Sequence, residues 1–126
     1  MNNWITGNVI HGLQNGAKFG FPTANLQLNE HEFLETGIFA VIVKIDDCLH
    51  KGMLYVGTRP TLGLEDRTYE INIFDFDKSI YDKELSFVIV EKIRNEKRFL
   101  NVVELIEQLH NDRERAKEIL NRQPLV

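Results

Sequence analysis

A mainly β domain that closes as an antiparallel barrel, with one amphipathic helix packed on it at the C-terminus, is the fold this sequence predicts. Three observations carry that expectation. Short apolar or alternating runs fill the first three quarters of the 126 residues. Gly, Asp and Pro punctuate those runs where turns belong. Beyond Asn101 the hydrophobic period changes from two residues to that of a helix.

The elements follow in order. Trp4–His11 reads as an opening strand. Pro22 fixes its own φ and biases Phe21 away from helix, so the segment after it is extended. Ile38–Ile45 is an almost unbroken β-branched run, the pattern of a strand buried on both sides. A turn at Asp46-Asp47-Cys48-Leu49-His50 leads into a returning strand, Lys51–Gly57. Gly57-Thr58-Arg59-Pro60-Thr61 reads as a turn with a rigid proline. Leu62–Arg67 reads as a flexible loop able to close over a substrate. Thr68–Phe76 alternates Tyr69, Ile71 and Ile73 against Glu70, Asn72 and Phe74, and Leu85–Arg94 puts Leu85, Phe87, Ile89 and Ile93 on one face. Asn101 followed by Glu104 makes a capping-box pair. Val102, Leu105, Ile106, Leu109, Ala116, Ile119 and Leu120 then form a helical apolar stripe, with Asp112–Arg122 as its solvated face. No repeat, low-complexity tract or linker interrupts residues 1–126, which read as a single domain.

Composition narrows the function. Hydrophobic content of 43% and charged content of 27% are those of a globular domain with a real core. A formal net charge of −4 and the lack of an Arg/Lys–aromatic stripe argue against nucleic acid as a partner. No apolar run approaches membrane-spanning length and no basic-then-apolar leader is present, so neither membrane nor secretion is expected. The single cysteine, Cys48, reads as a free thiol in a reducing cytoplasm. His11, His31, His50 and His110 share no metal-ligand spacing.

The segment Gly12-Leu-Gln-Asn-Gly16-Ala-Lys18-Phe-Gly20-Phe-Pro22-Thr23-Ala24-Asn25 carries the most chemistry. Glycines at positions 12, 16 and 20 allow tight turns whose amides can face an anion. In the extended stretch that follows, Thr23 and Asn25 share a face and can present a hydroxyl and an amide oxygen to one cation or phosphate. A phosphate cradle ending in hard oxygen ligands suits a nucleotide with Mg²⁺ or another divalent cation. The loop is neither a Walker A motif nor G-x-G-x-x-G. Lys18 reads equally as a point-charge phosphate contact or a solvated loop lysine, and Arg59 as a phosphate contact or the partner of a nearby acid.

Further landmarks follow in order: Gly7-Asn8-Val9-Ile10-His11-Gly12 before the loop, Gly37-Ile-Phe-Ala40, Gly52-Met-Leu-Tyr-Val-Gly57-Thr-Arg59-Pro60-Thr61, Glu70-Ile-Asn-Ile-Phe-Asp75-Phe76, Ile80-Tyr81, Ile93-Arg94-Asn-Glu96-Lys-Arg-Phe99, and Leu105, Asp112 and Ala116 on the terminal helix. Together they resemble the riboflavin kinase (flavokinase) family along nearly the whole chain, in particular the C-terminal kinase domain of bifunctional bacterial riboflavin kinase/FAD synthetase. The resemblance implies a closed six-stranded antiparallel Greek-key barrel with a C-terminal amphipathic helix packed on it. It implies ATP-dependent phosphorylation of the riboflavin ribityl 5′-hydroxyl to give FMN and ADP, with Mg²⁺ or another divalent cation. It also implies roles. Gly12, Gly16, Lys18, Gly20, Pro22, Thr23 and Asn25 would meet nucleotide and phosphate, with Thr23 and Asn25 on the metal. Glu70 would be the catalytic base, and Arg94, Glu96 and Phe99 would hold the flavin.

This chain departs from the family pattern at Ala17, where a basic residue is common, and at Tyr81-Asp82 in place of Tyr-Gly. Asp82 is therefore expected to need a left-handed backbone. No His-x-Gly-His motif is present, so the chain is expected to make FMN and stop. It would act in the cytoplasm as a monomer, or as part of a longer chain with an FMN adenylyltransferase domain. The alternative function is a non-catalytic flavin- or nucleotide-binding module.

Overall fold

In the computed structural model, which describes residues 3–10, 23–61, 64–76 and 78–122, the strands close into a barrel of order β1-β2-β5-β4-β3-β6. The strands are β1 (Ile5–Ile10), β2 (Ala24–Leu28), β3 (Gly37–Ile45), β4 (Cys48–Thr61), β5 (Leu64–Ile73) and β6 (Glu84–Arg94), and α1 (Val102–Leu120) follows. Every pairing is antiparallel. β3, β4 and β5 form consecutive hairpins and β6 returns beside β3, which is a Greek key. The barrel, its six strands and the terminal helix are those the sequence led us to expect.

Alternation builds the interior. Phe39, Val41, Val43 and Ile45 of β3 meet Leu54, Val56, Tyr69, Ile71, Ile73, Leu85 and Phe87 inside the barrel. The opposite face of β3, with Ile38 and Ala40, packs under Ala116, Ile119 and Leu120 of α1 together with Met53 and Phe74. β3 is thus buried on both sides, as its apolar run predicts. Each fully buried Leu, Ile or Phe contributes about 1.5–3 kcal/mol from the area it removes from water.

Turn chemistry sets the hairpins. Ile45 pairs with Cys48, and Asp46 and Asp47 between them have φ of 50° and 66°. Two left-handed residues in a two-residue loop give a turn whose twist matches the strands. Cys48 therefore opens β4 instead of lying in the turn. Asp82 takes φ 67°, as its place after Tyr81 predicts, and its amide donates to the Val9 carbonyl at 2.9 Å.

Three expectations are corrected. Gly57–Thr61 and Leu64–Arg67 are strand and not turn and loop, because β4 and β5 stay paired out to Thr61 and Leu64. The β3–β4 ladder ends at Gly37↔Val56, so among the described residues no strand pairs with that side of β4 at Pro60, which lacks an N–H. Ile93 does not share a face with Leu85, Phe87 and Ile89. The register shift between Ala40 and Val41 reverses the phase after Ile89, and Ile93, skipped at the second shift between Ile38 and Phe39, packs in the outer cluster. Asp112 is not on the solvated face of α1, being only 1% exposed.

The helix runs unbroken through Asn111-Asp112. Asn101 Oδ1 accepts from the Glu104 amide at 3.0 Å. Glu104 reaches back to accept from the Leu100 amide at 3.1 Å, one residue earlier than a strict capping box.

Candidate active site

One rung of the barrel gathers residues that are far apart in sequence. Asn25 lies opposite Glu70, Glu70 opposite Tyr55, Tyr55 opposite Ile38, and Ile38 opposite Arg94. Leu26, Tyr69, Ile71, Leu54 and Val56, their chain neighbours, point into the barrel, so the rung residues face outward. Adjacent strands lie about 4.8 Å apart, which puts Glu70 and Arg94 about 14 Å apart along the barrel surface.

At one end of the rung the Thr23 hydroxyl donates to Glu70 Oε1 at 3.2 Å. Burial pushes the Glu70 carboxyl above the ordinary carboxylate value, and the Thr23 bond partly opposes that shift. Asn25 Nδ2 is buried and has no hydrogen-bond partner among the described residues. An unpaired buried amide is costly, so Asn25 Nδ2 is a donor available to a bound group or water. Beside Thr23 a cleft opens between the barrel mouth and the segment after β5, lined by Ala24, Ile73, Phe76, Ile80 and Tyr81 among others.

At the other end Arg94 leaves β6 and is gripped by the helix. Its Nε and Nη2 donate to Asp112 Oδ1 and Oδ2, each at 2.8 Å, and Nη1 donates to the Asn95 carbonyl at 3.1 Å. Gln108 Nε2 adds a 2.9 Å bond to Asp112 Oδ1. The Arg94 guanidinium also lies 5.6 Å from the centre of the Phe99 ring. Most of its donor fork is therefore spent within the protein, and Arg94 holds the shape of segment 95–100. Tyr55 Oη donates to Glu96 Oε2 at 3.2 Å.

Of the residues the sequence singled out, Thr23, Asn25 and Glu70 come together, and Arg94, Glu96 and Phe99 form a second group. Gly12, Gly16, Lys18, Gly20, Pro22 and His11 lie outside the described residues, as does the Arg59 side chain. Tyr55 and the burial of Asp112 were missed. Their only sequence signals were a tyrosine two residues before Gly57 and an acid on the helix at the family's spacing.

A hydroxyl and a carboxamide oxygen are hard oxygen donors, so Thr23 and Asn25, with the Glu70 carboxylate beside them, fit a small divalent cation that takes few protein ligands. Among the described residues no cluster of three or more His, Cys, Asp or Glu could by itself hold a metal. None of the described helices is long and apolar enough to cross a membrane.

The architecture defines the class, a six-stranded Greek-key barrel with a rung of polar residues on its outer face and a C-terminal helix packed over the β3, β4 and β6 side. The chain belongs to the riboflavin kinase (Flavokinase) family, whose model matches residues 2–120. It is 38% identical over 109 residues to the RNA-binding riboflavin kinase RibR of Bacillus subtilis, covering 86% of this chain and 47% of that protein. It is 34% identical over 117 residues to the bifunctional riboflavin kinase/FMN adenylyltransferase of the same organism, covering 90% of this chain and 37% of the relative. The chain therefore spans less than half the length of these curated relatives. Among solved structures, a macrolide-efflux protein from Streptococcus pneumoniae superposes with a TM-score of 0.86 at 32% identity, over 92% of this chain and 38% of that one. The riboflavin kinase of Trypanosoma brucei shares the fold, with a TM-score of 0.65 at 19% identity over 95% of this chain and 80% of that one.

Proposed function

We propose that this chain transfers the γ-phosphoryl group of ATP to the ribityl 5′-hydroxyl of riboflavin, giving FMN and ADP. The observation that carries the reading is Glu70, a half-buried carboxylate bonded to Thr23 and set between the Thr23–Asn25 pair and the Tyr55–Arg94 side of one rung. Phosphoryl transfer asks for positioning, charge neutralisation and one group to receive the hydroxyl proton. Glu70 takes that proton as the 5′-oxygen attacks the γ-phosphorus, and the bond from phosphorus to the β–γ bridging oxygen breaks to release ADP. Its raised proton affinity brings it closer to the working pH, which suits a general base.

Thr23 and Asn25 would hold Mg²⁺ or another divalent cation, which when bound neutralises phosphate charge, and Glu70 stays free to take the proton. The Gly12–Pro22 segment, with Lys18, would cradle the phosphates. The cleft beside Thr23, with Phe76 and Tyr81 in its wall, suits a purine base. Phe99 offers the flavin ring an aromatic face, Arg94 fixes Phe99 in place, and Glu96 can accept from the imide N–H. Residues 1–126 act as one kinase domain in the cytoplasm, as a monomer or joined to an FMN adenylyltransferase domain.

The test is to incubate the chain with riboflavin, ATP and Mg²⁺ and to separate the flavins. An FMN peak that a chelator abolishes is the expected outcome. Tight flavin or ADP binding without FMN, with other cations and with CTP as donor, would make the chain a binding module instead.

A further inference from the structure

Tyr55 stands between the two halves of the site. It is the rung neighbour of Glu70 on one side and of Ile38, then Arg94, on the other. Its half-buried ring packs on the outer cluster under α1, while its hydroxyl reaches a residue 41 positions away, Glu96. Glu96 belongs to residues 95–99, which have no regular secondary structure. The main chain there lacks a ladder to hold it, so a side-chain bond from the barrel wall counts for more than it would in a strand.

Gly57 makes this contact possible. A Cβ at Gly57 would come within 2.7 Å of Tyr55 Cε1 and 3.3 Å of Glu96 Oε2. The bare backbone leaves a slot in which the ring and the carboxylate lie side by side against β4. Tyr55 can also donate throughout the working range of a kinase. Burial first, then the Glu96 carboxylate and its hydrogen bond, with a smaller push from Glu70, raise the phenol to about 12 despite the opposing Arg94 charge.

We propose that Tyr55 is a positioning residue for riboflavin. Its hydroxyl holds Glu96 Oε2 in the slot over Gly57, which orients the other carboxylate oxygen and segment 95–99 toward the flavin ring. The inference rests on the kinase reading for the identity of the ligand. It goes beyond that reading in assigning a role to a tyrosine that the chemistry of transfer does not require.

The test compares Tyr55→Phe, Glu96→Gln and the double variant with the parent chain. Riboflavin affinity is read without ATP by quenching of flavin fluorescence, alongside both KM values, kcat and Tm. Tyr55→Phe keeps the ring and its packing, so Tm should hold within about a degree. Riboflavin Kd and KM should rise about three- to tenfold, the worth of one hydrogen bond, while kcat and the KM for ATP stay within about twofold. The double variant should be no worse than Glu96→Gln alone, because the two residues act as a unit. Unchanged riboflavin affinity in Tyr55→Phe would overturn the assignment. So would additive losses, or an equal weakening of ATP and riboflavin together with a lowered Tm. A chain that binds riboflavin but makes no FMN would sink the kinase reading and leave the binding comparison to decide Tyr55. A chain that binds no riboflavin would sink both.

Discussion

Burial raises the proton affinity of Glu70, and the Thr23 hydroxyl pulls it part of the way back. Because the folded-state pKa lies above the unfolded one, folding favours the protonated carboxyl. That contribution is complete below the unfolded pKa and is lost as pH rises through the folded pKa. A charged Glu70 therefore lowers stability, while the proposed phosphoryl transfer needs it charged. Glu70→Gln should cut kcat about 10²- to 10⁴-fold with flavin and ADP binding retained, and should raise Tm at neutral pH, where an activity–stability conflict of this kind is expected. A variant that loses binding and activity equally would make Glu70 structural. The acid limb of kcat/KM should fall above the ordinary carboxylate range. Thr23→Ala, which removes a bond favouring the charged form, should move that limb higher still. At this scale the sequence was informative for Thr23 and Asn25, whose types and spacing already name oxygen chemistry, and it pointed to Glu70 only through the family resemblance. It was silent on Asp112, which sits among Asn111, Arg113 and Glu114 and looks like any solvated acid until Arg94 is placed against it.

Elements were legible where one face decides the pattern. Tyr69, Ile71 and Ile73 point inward along β5 as their alternation predicts, and the helical stripe of Ala116, Ile119 and Leu120 lands on β3. Patterning failed where pairing overrode local composition. Leu64–Arg67 holds Gly- and acid-flanked residues that read as loop, yet Thr58↔Arg67 and Arg59↔Asp66 continue the ladder. The register shifts of β6 were equally invisible, since a bulge is a relation between strands and leaves no mark in the period of one of them. The junction of β6 with α1 rests on the Arg94–Asp112 pair, with side chains 15% and 1% exposed. Asp112→Ala would leave a largely buried guanidinium without its counterion. We expect about 3–5 kcal/mol of lost stability in chemical denaturation, the cost of orphaning one member of a buried pair. Riboflavin affinity should fall as well, because Phe99 and segment 95–100 lean on the same guanidinium. A loss below about 1 kcal/mol would mean that Arg94 swings out to water and that the pair does not fix the junction.

The rung from Asn25 to Arg94 exists only because the sheet closes on itself. Its members are drawn from β2, β5, β4, β3 and β6, and the β1–β6 ladder of Ile5↔Phe87 to Asn8↔Glu84 completes the ring. No local signal in a sequence specifies which strands become neighbours, so the residue types at Asn25 and Glu70 were legible and their place on one rung with Tyr55 was not. Closure in turn depends on how near β4 and β5 approach. At Gly52, opposite Ile73, a Cβ would stand 2.5 Å from the Asn72 carbonyl oxygen, a backbone atom that cannot rotate away. Gly52→Ala must therefore part the two strands near the outward face that carries Glu70 two residues on. The expected result is a loss of about 1–3 kcal/mol from overpacking, read as a lower denaturation midpoint at constant m. A fall in kcat should accompany it, since displacement of a base by even a fraction of an ångström lengthens its reach to the attacking hydroxyl. Lost stability with unchanged kcat would show that the Glu70 end of the rung is held by Thr23 and β2 alone, independently of its β4 neighbour.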